Sequence, residues 1–290
     1  MDYNIKNMQE LLTNPSKISY REYSTGHKGL DGMLTINPSL EGIRTSRLYT
    51  ILGCTGSGKS LFMLTLSQSL AQNNCNVLYI SLENTEDQTL ERLAGLPVSD
   101  SLYLSHPTKN PNFGINDAFY PDDIKQEILE VQNRYNTTID VVILDYLGEI
   151  KPTSGRNSYE ELGNIVTLLK DIAKELNIAI ITASQCNREA LKTYKTASTK
   201  QEMISALCNI NESHVSDSAK IIHISDFVWF VHRIKQISFE SYNKGKTCSA
   251  LFISVLKNRD FTSNYEKIVI PFRSNVNALS NTFVDLSMEV

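Results

Sequence analysis

The chain has no surplus of positive charge. Its 28 Lys and Arg face 32 Asp and Glu, for a formal net charge of −4. A global basic field that would mark a nucleic-acid binder is therefore missing, and any such contact must come from local basic loops. No apolar run is long enough to span a bilayer. The start, Met1-Asp2-Tyr3-Asn4, lacks the basic-then-apolar order of a signal peptide. The five cysteines, Cys54, Cys75, Cys186, Cys208 and Cys248, contain no C-x-x-C pair, which points away from a zinc site and from a disulfide framework. A reducing cytoplasm fits that usage. Otherwise the composition is ordinary for a soluble globular protein, and 290 residues suffice for one large or two small domains.

What is present is sharper. Gly53-Cys54-Thr55-Gly56-Ser57-Gly58-Lys59-Ser60 reads G-x-x-x-x-G-K-S, the phosphate-binding P-loop. The apolar run Arg47-Leu48-Tyr49-Thr50-Ile51-Leu52 precedes it and an amphipathic run from Leu61 to Ala71 follows, the strand–loop–helix setting that the motif requires. Glycines let backbone N–H groups turn inward around an anion, and a helix starting near Lys59 adds its positive dipole end. Lys59 is expected on the β- and γ-phosphates of ATP and Ser60 on Mg²⁺. Cys54 reads as a neutral filler at a variable loop position or as an oxidisable thiol.

Along the chain, a short arm over residues 1–20 precedes a domain over 21–290. In the arm, Ile5, Met8, Leu11 and Leu12 form one stripe at helical spacing, ended by Pro15 and Ser16. Strands are expected at Leu48–Leu52, Asn76–Leu82, Ile139–Asp145, Ile178–Ser184, Phe227–His232, Leu251–Val255 and Lys267–Ile270. Helices are expected after the P-loop, over Pro121–Arg134 with Pro121 at the first helical position, and from the capping box Ser158-Tyr159-Glu160-Glu161 onward. In the last of these, Leu162, Ile165, Val166, Leu169, Ile172, Ala173 and Leu176 form one apolar face. Continuous apolar strands such as Val141-Val142-Ile143-Leu144, separated by helices, predict an α/β fold with a mostly parallel twisted sheet and helices on both faces. Two long polar connections, Lys151–Asn157 and Asn187 to about Ser218, read as functional loops.

A P-loop ATPase needs further parts. Asp145 ends a buried strand, where a carboxylate can hold Mg²⁺ through its water shell. Glu83 ends the strand after the P-loop unit, at the sheet edge where ligands bind, and can act as base for the attacking water; it can equally cap the helix near Thr85. Gln185 ends the strand Ile180–Ser184 and reads as a γ-phosphate sensor or as an ordinary strand-end amide. Lys257-Asn258-Arg259 follows another strand and reads as positive charge for the transition state or as a solvated turn.

Taken together these segments resemble the ATPase domain of DnaB-type hexameric replicative helicases, bacterial or phage, a RecA-like superfamily. Thr25-Gly26 through Leu30-Asp31 is similar to its T-G-x-x-x-L-D entry motif. Ser81-Leu82-Glu83 resembles its S-L-E motif and Ile143-Leu144-Asp145-Tyr146-Leu147 its Walker B strand. Ser184-Gln185-Cys186-Asn187-Arg188 resembles S-Q-L-N-R, Ser216-Asp217-Ser218 with Asp226-Phe227-Val228 resembles S-D-S with D-x-V, and Lys257-Asn258-Arg259 resembles the K-x-R finger. The resemblance implies a RecA-like P-loop NTPase core, a homo-hexameric ring with ATP between subunits, and catalytic roles for Glu83, Gln185, Lys257 and Arg259. It also implies single-stranded DNA in a central channel and a primase or helicase loader as partner, in the cytoplasm and with no membrane. Lys151, Arg156 and Asn157 in one loop, and Arg188, Lys192, Lys195 and Lys200 in the next, could hold DNA through its backbone, with Tyr194 stacking on a base. The family's N-G after the finger is replaced by Asp260-Phe261, the segment Glu189–Val215 is longer than usual, and only residues 1–20 stand where an N-terminal helical domain usually precedes. A RecA-like recombinase or a regulatory DNA-binding ATPase without unwinding activity is the alternative, and an accessory protein that hydrolyses poorly is a third.

Overall fold

Residues on each buried strand alternate between two apolar layers, and that alternation sets the fold. The computed structural model describes residues 20–34, 42–94, 96, 98–107, 119–151, 158–186, 191–212, 219–238, 247–259, 264–273 and 279–286. Within them the chain runs β1 (Glu22–Tyr23), α1 (Lys28–Met33), β2 (Ile43–Arg44), β3 (Arg47–Gly53), α2 (Lys59–Gln72), β4 (Val77–Ser81), α3 (Glu86–Leu93) and β5 (Leu102–Ser105). It continues through α4 (Asp123–Tyr135), β6 (Val141–Asp145), a 3₁₀ turn (Leu147–Glu149), α5 (Ser158–Glu175), β7 (Ala179–Gln185), α6 (Lys192–Thr196) and α7 (Lys200–Cys208). The last elements are α8 (Ala219–Ile224), β8 (Phe227–Ser238), β9 (Thr247–Asn258), β10 (Lys267–Pro271) and β11 (Val284–Asp285).

One sheet holds nine of these strands in the order β11-β10-β9-β8-β3-β7-β6-β4-β5. From β8 to β5 all neighbours are parallel, and β9, β10 and β11 add an antiparallel extension. Tyr49 and Ile51, with Tyr79, Ile143 and Ile181, pack on Phe62, Met63, Leu66 and Leu70 of α2. Their neighbours Leu48, Leu78, Val142, Leu144 and Ile180 pack the other way, on Ile128 of α4 and Ile165, Leu169 and Ile172 of α5. Burying one such Leu or Ile side chain stabilises the fold by about 1.5–3 kcal/mol, so α5 is held by its stripe rather than by its ends. A third cluster joins Phe230, Phe252 and Val269 to Leu207 and Ile222. No described helix is long and apolar enough to cross a membrane.

The entry motif has a structural role. Asp31 in α1 accepts from Thr25 N at 2.7 Å and Thr25 Oγ1 at 2.6 Å, and from Ser24 Oγ at 2.6 Å, which closes the turn around Gly26.

The expected strands and helices form, most within one or two residues, with corrections: β8 and β9 are each 12 residues long, well beyond the expected Phe227–His232 and Leu251–Val255. Pro121 precedes α4, whose N-cap is Asp122. The long connection after Asn187 is not simply a loop: it contains α6 and α7, the latter opened by a capping box between Thr199 and Glu202. Strand β5 pairs with β4, where the apolar pattern gives no strand. The stripe Ile5–Leu12 and the side chains of the proposed capping box Ser158–Glu160 lie outside the described residues.

Candidate functional site

The loop between β3 and α2 turns on glycine. Gly56 and Gly58 have φ of 74° and 95°, the left-handed region where a side chain is strained. At Gly53 a Cβ would lie 2.4 Å from Ser57 Oγ and 2.7 Å from the carbonyl of Val231, so the space admits no side chain. The N-cap of α2 is Gly58, with no side-chain cap bond, which leaves the first-turn N–H groups for an anion. Ser57 Oγ is buried and has no hydrogen-bond partner among the described residues. Lys59 folds over the loop and donates to the carbonyls of Gly53 at 2.8 Å and Cys54 at 3.2 Å. Burial pulls its pKa below the usual lysine value, so a phosphate would find a poorly solvated cation there.

Asp145 ends β6 beside the loop. Its Oδ1 accepts from Ser60 Oγ at 3.2 Å and its Oδ2 from Tyr79 OH at 2.8 Å. Burial raises its pKa, opposed by the hydrogen bonds from Tyr79 and Ser60. A hydroxyl and a carboxylate in contact are hard oxygen donors of the kind Mg²⁺ takes. No cluster of three or more His, Cys, Asp or Glu capable of holding a metal occurs among the described residues. Two protein oxygens, supplemented by water and phosphate, are the usual Mg²⁺ arrangement, so the residues fit a magnesium nucleotide.

Strand register brings the other candidates to the same edge. Ser81 pairs with Asp145, which puts the exposed Glu83 just beyond it; Glu83 N donates to the Asp145 carbonyl at 3.4 Å. Gly53 pairs with Gln185, whose Oε1 accepts from Thr55 Oγ1 at 3.2 Å. A cleft of about 390 Å³ is lined by the P-loop from Thr55 to Ser60 together with Glu83, Asp145 and Gln185. Arg92 and Arg233 also line it. Arg92 belongs to no motif, and only the position of α3 beside the loop puts it there. Arg233 extends from β8 with its guanidinium carbon 5.2 Å from the centre of the Phe272 ring.

Lys257 and Arg259 are elsewhere. Strand β9 runs antiparallel to β8, so Asn258 lies opposite Phe227, level with Tyr49, while the P-loop leaves the far end of β3. At roughly 3.3 Å per residue the finger motif sits on the order of 15 Å from the loop along the sheet. Lys257 Nζ donates to the carbonyls of Ile222 at 2.6 Å and His223 at 2.7 Å, at the end of α8. Arg259 donates to the His223 carbonyl at 3.3 Å and pairs with Asp226 at 3.4 Å. Asp226 also pairs with Lys170 of α5 at 2.7 Å and accepts from Leu48 N at 3.1 Å. The chain therefore does not bring its own Arg259 to its own cleft. The anchor formed by Lys170 and Asp226 escaped sequence reasoning, because the two lie 56 residues apart.

Of the basic candidates, Lys151 is exposed after the 3₁₀ turn, and Lys192 and Lys195 are exposed on α6 rather than in a loop. Lys200 is the exposed first residue of α7. Tyr194 is turned inward, its ring 4.6 Å from that of His232, so its proposed stacking on a base is not what its position offers. Arg156, Asn157 and Arg188 lie outside the described residues.

A mostly parallel sheet with a G-x-x-x-x-G-K-S loop beyond its central strand, and carboxylates at the ends of β6 and β4 on the same side, defines a P-loop α/β domain of the NTPase class. The model of the DnaB-like helicase C terminal domain matches residues 106–281, and the chain belongs to that family. The matched span contains Asp145, Gln185, Lys257 and Arg259; the P-loop and Glu83 precede it. The chain is 26% identical over 209 residues to the replicative DNA helicase DnaB of Buchnera aphidicola, covering 63% of this chain and 45% of that protein. It is 25% identical over 272 residues to a probable plasmid replicative DNA helicase of Chlamydia trachomatis, covering 87% of this chain and 56% of that one. The chain thus spans about half the length of the curated relatives it matches. Among solved structures, the fold matches an ATPase domain with a TM-score of 0.68 at 16% identity, over 96% of this chain and 100% of that one. It also matches a DnaB-like replicative helicase, solved in a study of its interactions with primase, with a TM-score of 0.66 at 17% identity, over 96% of this chain and 67% of that one.

Proposed function

We propose that this chain is the motor of a replicative DNA helicase: an ATPase that works in a homo-hexameric ring and draws single-stranded DNA through it. The observation that carries this reading is the division of the site. The cleft gathers Lys59, Ser60, Glu83, Asp145 and Gln185, while Lys257 and Arg259 stand at the other edge of the sheet. A neighbouring copy of the same chain can supply that pair where this chain cannot.

In this reading the P-loop amides and Lys59 bind the β- and γ-phosphates of ATP, and Lys59 exchanges the carbonyls of Gly53 and Cys54 for phosphate oxygens. Ser60 and Asp145 hold Mg²⁺, which neutralises charge on the phosphates. Glu83 orients and deprotonates the attacking water. A neighbour's Lys257 and Arg259 stabilise the transferring phosphoryl group. Gln185 senses the γ-phosphate, and its bond to Thr55 gives it a direct link to the P-loop. The segment that carries Lys192 and Lys195 follows Gln185, so loss of phosphate can shift DNA held there. Lys151 and the two α6 lysines contact the DNA backbone, which gives affinity without sequence preference. A primase or a helicase loader is the expected protein partner, in the cytoplasm.

Electron microscopy with a nonhydrolysable ATP analogue and single-stranded DNA tests the proposal. Six-membered rings or lock-washers threaded by DNA are expected. Open filaments coating the DNA, or monomers under all conditions, would overturn it.

A further inference from the structure

Two cysteines are chain neighbours of residues that line the cleft. Cys54 is the second residue of the P-loop and Cys186 follows Gln185. Their sulfurs are 3.5 Å apart. Gly53 and Gln185 are register partners on β3 and β7, and Cys186 N donates to the Gly53 carbonyl at 3.4 Å, so the cysteines are the next residues on neighbouring strands. Adjacent strands lie about 4.8 Å apart, within the Cα separation of roughly 4.4–6.8 Å that a disulfide spans. Both side chains are buried, at 5% and 8% exposure, yet Thr55 and Gln185, the residues beside them, line the cleft. A small oxidant entering the cleft therefore has only a thin layer to pass, and a bound nucleotide would cover it.

We propose that Cys54 and Cys186 are an oxidisable pair, closed to a disulfide by a peroxide, which staples the P-loop to the strand ending in Gln185 and stops ATP turnover. In the first step one cysteine sulfur attacks the peroxide O–O bond; the thiol becomes a sulfenic acid and one water leaves. In the second step the other cysteine sulfur attacks the sulfenic sulfur, the S–S bond forms and a second water leaves. Two thiols are oxidised and one hydrogen peroxide is reduced to two waters. The hydrogen bond with Cys54, reinforced by burial, holds the Cys186 thiol well above its ordinary pKa against the opposing charge of Lys59; since the thiolate is the form that attacks peroxide, the pair closes slowly and only under strong peroxide exposure.

Closure draws the sulfurs from 3.5 Å to a bond of about 2.05 Å, and it ties the loop residue whose carbonyl accepts from Lys59 to the neighbouring strand. A displacement of about 1 Å in a phosphate-transfer site is enough for a loss of about a hundredfold in rate. Only this last consequence rests on the function proposed above.

The test treats the full chain with hydrogen peroxide, with and without ATP analogue, then maps peptides without reduction and measures ATPase before and after a dithiol reductant. A Cys54–Cys186 linked peptide, fewer links when the analogue is bound, and a loss of ATPase of about a hundredfold that the reductant reverses are expected. The Cys186→Ser variant should keep its ATPase and lose the peroxide response. No linked peptide, or a linked protein with undiminished ATPase, overturns the proposal. A reduced protein without ATPase would refute the function proposed above, and the peptide map would still decide whether the pair closes.

Discussion

Replacing Asp226 by asparagine removes one charge and keeps the shape. The carboxylate is 5% exposed and binds Lys170 at 2.7 Å, Leu48 N at 3.1 Å and Arg259 at 3.4 Å. In Asp226→Asn the amide oxygen can still accept from Leu48 N. Lys170, with a side chain 11% exposed, is left with the Ile224 carbonyl at 3.0 Å and no paired carboxylate. Breaking a buried pair from one side costs about 3–5 kcal/mol, and the retained carbonyl contact places this variant near the lower end. Lys170→Met removes the stranded charge, so the double variant is expected to be more stable than Asp226→Asn alone by about 2 kcal/mol, since replacing both partners of a buried pair is often neutral. Urea unfolding at fixed protein concentration measures this, with an unchanged denaturant slope as the check that the transition is the same. Additive costs in the double variant, or a cost for Asp226→Asn under about 1 kcal/mol, would refute the argument that this anchor is a coupled buried pair.

Three further outcomes follow from the site and its surroundings. Lys59→Ala is expected to lose ATPase by at least about a hundredfold with a change in melting free energy under roughly 1.5 kcal/mol, because its hydrogen bonds among the described residues go to two loop carbonyls; undiminished ATPase would sink the P-loop assignment. Gly53→Ala should destabilise the fold by about 1–3 kcal/mol in urea, because the Val231 carbonyl 2.7 Å from the new methyl belongs to the sheet backbone; an unchanged midpoint would contradict that geometry. Burial, with a smaller contribution from the Lys195 charge, lowers the pKa of His232 from 6.5 to about 4. The unfolded chain then takes up the proton first, so stability is full above pH 6.5 and falls by up to roughly 3 kcal/mol as pH drops to about 4. His232→Phe should flatten that part of the pH–stability curve, and an unchanged slope would assign the loss to other groups.

Much of the fold was legible because the apolar runs are long and the punctuation is strong. Val141–Leu144 and Ile180–Ala183 could be read as strands buried on both sides, and the stripe from Ile165 to Ala173 as one helix face. The P-loop, Glu83, Asp145 and Gln185 were legible for the same reason: each ends or follows such a strand, and parallel strands point their carboxyl ends to one edge. What escaped was set by tertiary contact. Helix α7 is only nine residues long, and its capping box at Thr199–Glu202 and short apolar run from Met203 to Cys208 are too brief for periodicity to separate it from the surrounding loop. Tyr194 looks like a stacking residue in a basic loop until β8 brings His232 against it. Arg92 and Lys170 carry no motif and the D-x-V resemblance at Asp226 names no partner for it, so the place of Arg92 in the cleft and the Lys170–Asp226 pair appear only when the elements are packed together. The distance of Arg259 from the cleft required the antiparallel turn of β9, which periodicity alone does not reveal.

The proposed function stands or falls on each ATP site being shared between two copies of the chain. Mixing Arg259→Ala with Glu83→Gln subunits tests this, because each variant alone lacks one half of every site. The separate variants are expected to be nearly inactive. Mixtures are expected to regain ATPase, with a maximum near equal proportions, where a site with both wild-type halves forms most often. No recovery at any mixing ratio, with both variants still assembling into rings, would contradict shared sites.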